Sequence, residues 1–333
     1  MAGRRRRRRT TPVVALLVGA MVLLAVLYTA QDRYGHDLGL PEVSVPTLST
    51  LIAPLSEIAV RGNSPPEIVP AAAPATPAQG TVSVHFIDVG QGDSTLIIAP
   101  DKTVLIDGGD NGWGPTVLAY LRGQGVSEID ILIATHPHAD HIGGLIDVIR
   151  ELPIGEVIAP ELPDALIPTT RTYTNFLLAL LERSLSITPA QVGDTRDLGG
   201  GAVLTIHGPV RDYAILNDMS VVSRLKFGET SFLFTGDAEL AAEHDLATAG
   251  GIRSTVLHIG HHGSRTSTTE IFLAAVSPSI AVIPCGLDNQ YGHPHRSVIE
   301  RLNAANIRIL RTDLDGTVVL TTDGHSIGVR TER

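Results

Sequence analysis

One cysteine, one tryptophan and two lysines are all that 333 residues hold of those types. Cys285 alone excludes an internal disulfide framework and a Cys-rich zinc site, and it says little about redox compartment. Aromatic residues make up only 4% of the chain against 43% hydrophobic overall, so aliphatic side chains must fill most of any core. Lys102 and Lys226 stand among 25 basic residues, a bias toward arginine that reads as codon usage rather than chemistry. Residues 81–333 are short of positive charge, with 17 Lys/Arg against 30 Asp/Glu and a net charge of −13. An acidic body argues against non-specific coating of DNA, which needs cations to neutralise phosphates. Bound divalent metals would offset part of it. No internal repeat is evident, and the length allows two domains or one large α/β domain with accessory segments.

What is present begins with a topology signal. Residues 1–11 carry the run Arg4 to Arg9, and residues 12–30 include eighteen consecutive uncharged positions, Val13 to Ala30. As a helix those eighteen would reach roughly 27 Å, close to the hydrocarbon thickness of a bilayer. Six arginines before the stretch, and only Arg33 soon after it, predict a cytoplasmic N-terminus and an extracytoplasmic body. The rival reading is a cleaved signal peptide, but a site after Ala30 would set bulky Tyr28 where a small residue is preferred. Residues 31–80 contain eight prolines and the low-complexity stretch Ala71 to Gly80, the pattern of an extended, solvated tether.

From residue 81 short β-rich runs alternate with helical patterns, which predicts two mixed sheets with helices outside, over 81–333. The chemistry concentrates in Thr135-His136-Pro137-His138-Ala139-Asp140-His141-Ile142-Gly143-Gly144, between the apolar run Ile129–Ala134 and a helix. The residue before Pro137 is biased to extended backbone, where positions two apart face one side. His136 and His138 can therefore reach one ion, while Asp140 and His141 enter the helix turn, placed for a second. Imidazole and carboxylate together suit zinc or manganese. Gly143 and Gly144 leave room for close backbone approach.

Further pieces follow along the chain. Asp237 ends the run Ser231–Phe234, as a bridging carboxylate or as a helix N-cap before Ala238-Glu239-Leu240. His261 and His262 sit between glycines at the end of Val256–Ile259, a ligand and a substrate contact. His293, in a loop with His295, is a candidate proton donor to a leaving group or a phosphate contact. Asp93 and Ser94 read as loop-shaping residues near the site or as contacts to the substrate. His85, His207 and His258 read as structural or core histidines.

Taken in order, these motifs resemble the metallo-β-lactamase superfamily, and within it the C-terminal domain of ComEC-type competence (DNA-uptake) proteins. The resemblance spans roughly residues 81–325 and rests on Asp88 to Ser94, Asp107-Gly108-Gly109, His136 to His141, Asn217 to Ser220, Thr235-Gly236-Asp237, His261 to Ser264 and Asn289 to Pro294. It implies an αββα sandwich with two divalent ions at one edge. Asp107 would prop the metal loop, and His136 and His138 would bind the first ion. Asp140 and His141 would bind the second, Asp237 would bridge, and His262 would be the late ligand with His261 on the substrate. One departure stands out: a further first-ion histidine is expected between the main motif and Asp237, and the chain has Asn217 to Ser220 instead. His207, the one histidine in that interval, lies in no matching motif, so the first ion should bind more weakly. The soluble domain and multi-helix channel of such competence proteins have no counterpart in these motifs, so only the hydrolase module carries over.

The expectation is a membrane-anchored extracytoplasmic hydrolase, a phosphodiesterase or nuclease in which two divalent ions, zinc or alternatively manganese, activate a shared water. DNA as substrate would require Arg224, Arg265, Arg296 and Arg301 to gather near the site. The rivals are hydrolysis of another ester or amide, including a lactone or β-lactam, and a non-catalytic binding protein that keeps the fold.

Overall fold

The computed structural model describes residues 78–333. The expected basic segment and span, and nearly all of the linker, lie outside them. Among the described residues no helix is long and apolar enough to cross a membrane.

The chain first lays down β1 (Val82–Phe86), β2 (Thr95–Ile98), β3 (Thr103–Ile106), β4 (Ile129–Ile133), β5 (Ile154–Ala159) and β6 (Ile187–Pro189). A second sheet follows from β7 (Thr195–Asp197), β8 (Val203–Gly208), β9 (Val222–Phe227), β10 (Thr230–Phe234), β11 (Val256–His258), β12 (Ile280–Ile283) and β13 (Arg308–Arg311). The last two strands, β14 (Val318–Thr322) and β15 (Ile327–Thr331), return to the first sheet and pair β14 against β1. The spatial orders are β15-β14-β1-β2-β3-β4-β5-β6 and β13-β12-β11-β10-β9-β8-β7.

Both sheets are built the same way, antiparallel in one half and parallel in the other. β3 to β6 run parallel, as do β10 to β13. Parallel neighbours need crossovers, and helices supply most of them. On the first sheet these are α1 (Gly114–Gly123), α2 (Ala139–Ile142), α3 (Leu145–Glu151) and α4 (Arg171–Glu182); on the second, α5 (Leu240–Ala249), α6 (Glu270–Val276) and α7 (Arg296–Ala304). A one-turn helix, α8 (Thr312–Asp315), follows β13.

Strand periodicity sorts the aliphatic side chains into three layers. Val84, Ile97, Val104 and Ile131 meet Leu225, Phe232, Val256 and Val282 between the sheets. Their neighbours Leu96, Leu105 and Leu132 turn the other way, onto Val117, Leu121, Val148 and Phe176 of the first helical layer. Leu233, Leu257 and Ala281 do the same against Leu246, Phe272 and Leu302. Truncating Phe232, fully buried between the sheets, should cost about 3–5 kcal/mol. The result is the expected αββα order, with few aromatic residues in the middle layer.

This topology decides where chemistry sits. In sheets with parallel strands, ligands bind beyond the carboxyl ends. Asp107 follows β3, the histidine motif follows β4, Asp237 follows β10 and the histidine pair follows β11. Asp93 precedes β2 and Ser220 precedes β9, both antiparallel to those strands, so they arrive at the same edge.

Candidate metal centre

The chain leaves β4, bends at His136 and Pro137, and is extended at His138 (φ −77°, ψ 151°) before α2 begins. The two rings come together there, with His136 Nε2 at 2.9 Å from His138 Nδ1. Ligand atoms of His136, His138 and Asp237 lie within 4.8 Å of one another. A second set, Asp93, His141, Asp237 and His262, meets the same limit of 4.8 Å and is buried throughout.

Asp237 belongs to both sets. Its Oδ1 is 3.2 Å from His141 Nε2 and 3.8 Å from His262 Nε2, while its Oδ2 is 3.8 Å from His136 Nε2. It does not cap α5. Asp218 does that work, its Oδ1 accepting from the amides of Glu239 at 2.9 Å and Ala242 at 3.2 Å.

The histidines are held from behind. Asp107, at φ 57°, accepts from the Thr135 amide at 2.8 Å, the Thr135 hydroxyl at 2.6 Å and His141 Nδ1 at 2.8 Å. His262 Nδ1 lies 3.1 Å from the Pro284 carbonyl oxygen, and Ser220 Oγ lies 3.4 Å from His136 Nδ1. Such partners fix the tautomer and orientation of a ligand ring. The approach of the backbones requires glycine: a Cβ on Gly144 would collide with the Gly108 carbonyl oxygen.

Charge at the site is compressed. Burial pulls both His141 and His262 down, but the carboxylates outweigh it, holding His141 well above the ordinary range and His262 up to about 9. Burial and the neighbouring His141 push His136 well below the ordinary imidazole value, which keeps it in the ligand form. Buried Asp237 Oδ1 and His141 Nε2 have no aligned hydrogen-bond partner. Unsatisfied buried polar atoms are costly. Carboxylate oxygens and imidazole nitrogens converging without partners are a donor set that fits divalent cations.

The expected residues do not all land alike. Asp140, expected on the second ion, stands outside both tight sets, at the lip, with its Oδ2 3.2 Å from His262 Nε2. Asp93, read as loop-shaping, is 3% exposed and joins the second set, its oxygens 3.7 Å from His141 Nδ1 and 3.8 Å from His262 Nδ1. His258 backs it, with Nε2 at 3.1 Å. His85 is satisfied by Tyr120 and Ser83 hydroxyls, each at 2.8 Å, and His207 joins neither set.

A cleft of about 340 Å³ opens over the centre, lined among others by Gln91, His138, Asn217, His261, Tyr291 and His293. Gln91 Nε2, Asn217 Oδ1 and His293 Nδ1 are buried there without partners. Burial, helped by His262 and His261, lowers the His293 pKa to about 4, so the ring is uncharged at neutral pH. It offers a hydrogen bond rather than an imidazolium proton. No lysine or arginine lines this cleft among the described residues. Arg224 is tied to the Arg253 carbonyl, Arg301 to those of Ser267 and Thr268, and Arg296 to Glu300. None of Arg224, Arg265, Arg296 and Arg301, the arginines a DNA substrate would require near the site, lines the cleft. Glu239, absent from the sequence expectation, holds His261 Nδ1 at 2.8 Å; its one signal was its place two residues after Asp237.

Fold, ligand spacing and shared aspartate define a class. The pattern of the metallo-beta-lactamase superfamily matches residues 87–286, and the chain belongs to that superfamily. Among curated proteins it is similar to ComE operon protein 3 of Bacillus subtilis, 32% identical over 254 residues, which are 71% of this chain and 32% of that protein. Recombination protein 2 of Haemophilus influenzae is 32% identical over 243 residues, 72% of this chain and 28% of that one. Competence protein ComA of Neisseria gonorrhoeae is 31% identical over 258 residues, 76% and 33% respectively. The chain thus spans about a third of the length of these relatives.

Proposed function

We propose that this chain is a metal-dependent phosphoesterase, anchored by residues 12–30 with its hydrolase domain outside the cytoplasm. The observation that carries the reading is Asp237, one carboxylate shared by two sets of buried ligand atoms. Two divalent cations there, zinc or alternatively manganese, would supply Lewis acidity and an activated water, as suits in-line displacement at phosphorus. The residues of the chain do the rest. His136, His138 and Asp237 would hold the first cation and Asp93, His141, Asp237 and His262 the second, with Asp140 beside His262 at the lip and Asp107 and Ser220 behind them. Gln91, Asn217 and His293 present unpaired polar atoms to a substrate in the cleft. His293 positions it by a neutral hydrogen bond.

Likeness to competence and recombination proteins supports a nucleic-acid phosphodiester as substrate. The absence of lysine and arginine from the cleft among the described residues leaves charge neutralisation to the cations and favours short or single-stranded ends over broad duplex binding. That same absence favours a second reading, hydrolysis of an uncharged lactone or β-lactam. Assays of the metal-loaded chain on bis-p-nitrophenyl phosphate, single-stranded DNA and nitrocefin separate the two. Turnover of the phosphodiesters is expected; turnover of nitrocefin alone would replace the first reading by the second.

A further inference from the structure

His136, His141 and His262 share one arrangement. Nδ1 is set against a buried acceptor, and Nε2 faces Asp237. His261 repeats it. Its Nδ1 is 2.8 Å from Glu239 Oε1, and its Nε2 is 3.8 Å from Asp237 Oδ2, the oxygen that His136 Nε2 also faces at 3.8 Å. Among the described residues no hydrogen bond uses His261 Nε2. A carboxylate on Nδ1 fixes the tautomer whose Nε2 carries a lone pair, the usual setting of a metal-bound imidazole.

The backbone is bent to achieve this. His261 (φ 50°, ψ 44°) and His262 (φ 54°, ψ 24°) are consecutive left-handed residues, which L side chains adopt at a cost. In an extended chain their rings would face opposite sides. Here one reaches toward Oδ2 and the other toward Oδ1 of the same aspartate. Asn217 stands where the superfamily's further histidine was expected, yet its Nδ2 donates to the same Glu239 Oε1 at 2.9 Å. It braces Glu239 and so the His261 ring.

We propose that His261 is the third nitrogen ligand of the first cation, standing in for the histidine missing between the main motif and Asp237, with Glu239 as its positioning residue. This replaces the substrate role that the sequence suggested for His261. It rests on the two-cation reading of the centre, and not on which substrate is cleaved.

The test is metal titration of the full 333-residue chain with Zn²⁺ and Co²⁺ against a competing chelator, with no substrate present. Wild type should bind two ions. His261→Gln should keep the circular dichroism of the fold and bind one ion tightly, with altered visible absorption of the cobalt form. Glu239→Gln, which keeps the ring, should weaken the first ion by about 10–100-fold, the usual cost of losing an outer carboxylate partner. Two ions held with unchanged affinity in His261→Gln would overturn the assignment, and so would a Glu239→Gln chain that loses stability without losing affinity. A wild-type chain that binds no ion would sink the two-cation reading along with it.

Discussion

Asp107 holds His141 Nδ1 with one carboxylate oxygen, at 2.8 Å, and the Thr135 amide with the other, also at 2.8 Å. One side chain thus locks the strand end that precedes the histidine motif to a ring within it. Asp107→Ala would take the acceptor from three buried donors, the Thr135 amide, the Thr135 hydroxyl and His141 Nδ1. We expect a loss of about 3–5 kcal/mol in urea unfolding of the metal-free chain. Affinity for the second cation should fall about 10–100-fold in chelator competition.

His293→Ala should keep both cations and slow turnover by about 10²–10³-fold, the cost of removing one hydrogen-bond donor aimed at reacting oxygens. Because the ring is uncharged at neutral pH, with a pKa of about 4, the loss should be alike for alkyl and nitrophenyl phosphodiesters. A loss confined to alkyl esters, whose leaving groups need a proton, would make His293 an acid after all.

Glu243 is buried on α5 and accepts from the amides of Thr268 and Thr269, the latter at 2.7 Å, which anchors the loop after the histidine pair. Burial pushes its pKa up to about 7. The folded state therefore holds this proton more tightly than the unfolded chain. Stability from this group is full below the ordinary carboxyl range and falls as pH rises to about 7. The decline should reach up to about 3 kcal/mol and flatten in Glu243→Gln. A slope unchanged by the substitution in urea melts from pH 4.5 to 8 would assign the dependence elsewhere.

Much of this was legible in the chain itself. Strands β1 to β4 and β8 to β14 announce themselves as aliphatic runs, β3 over the whole of Thr103–Ile106. β5 does not, because Pro153 and Gly155 break its pattern and only its last half is buried. β6 and β7 have three residues each, and β15 shows no fully buried residue, so their pairing comes from the sheet rather than their own pattern. At the site, spacing pointed to the proximity of His136 and His138, while the place of Asp237 beside them came from the resemblance, since the residues alone also allowed a helix cap. Spacing did not foretell Asp93 or Glu239. Asp93 joins the centre through pairing of β1, β2 and β3, and Glu239 through left-handed backbone at His261, neither of which local pattern encodes.

The topology rests on Arg4 to Arg9 ahead of Val13 to Ala30. An alkaline phosphatase fused after residue 333 should be active, and a cytoplasmic reporter at the same place silent. The reverse pair of results would put the hydrolase domain inside.

The central claim is that Asp237 serves two cations at once. The direct measurement is metal content and affinity of the Asp237→Ala chain beside wild type, by elemental analysis and chelator competition. Occupancy of both sites should fall together in that variant, and hydrolysis of bis-p-nitrophenyl phosphate should be nearly abolished. Two cations retained at wild-type affinity in that variant would contradict the claim.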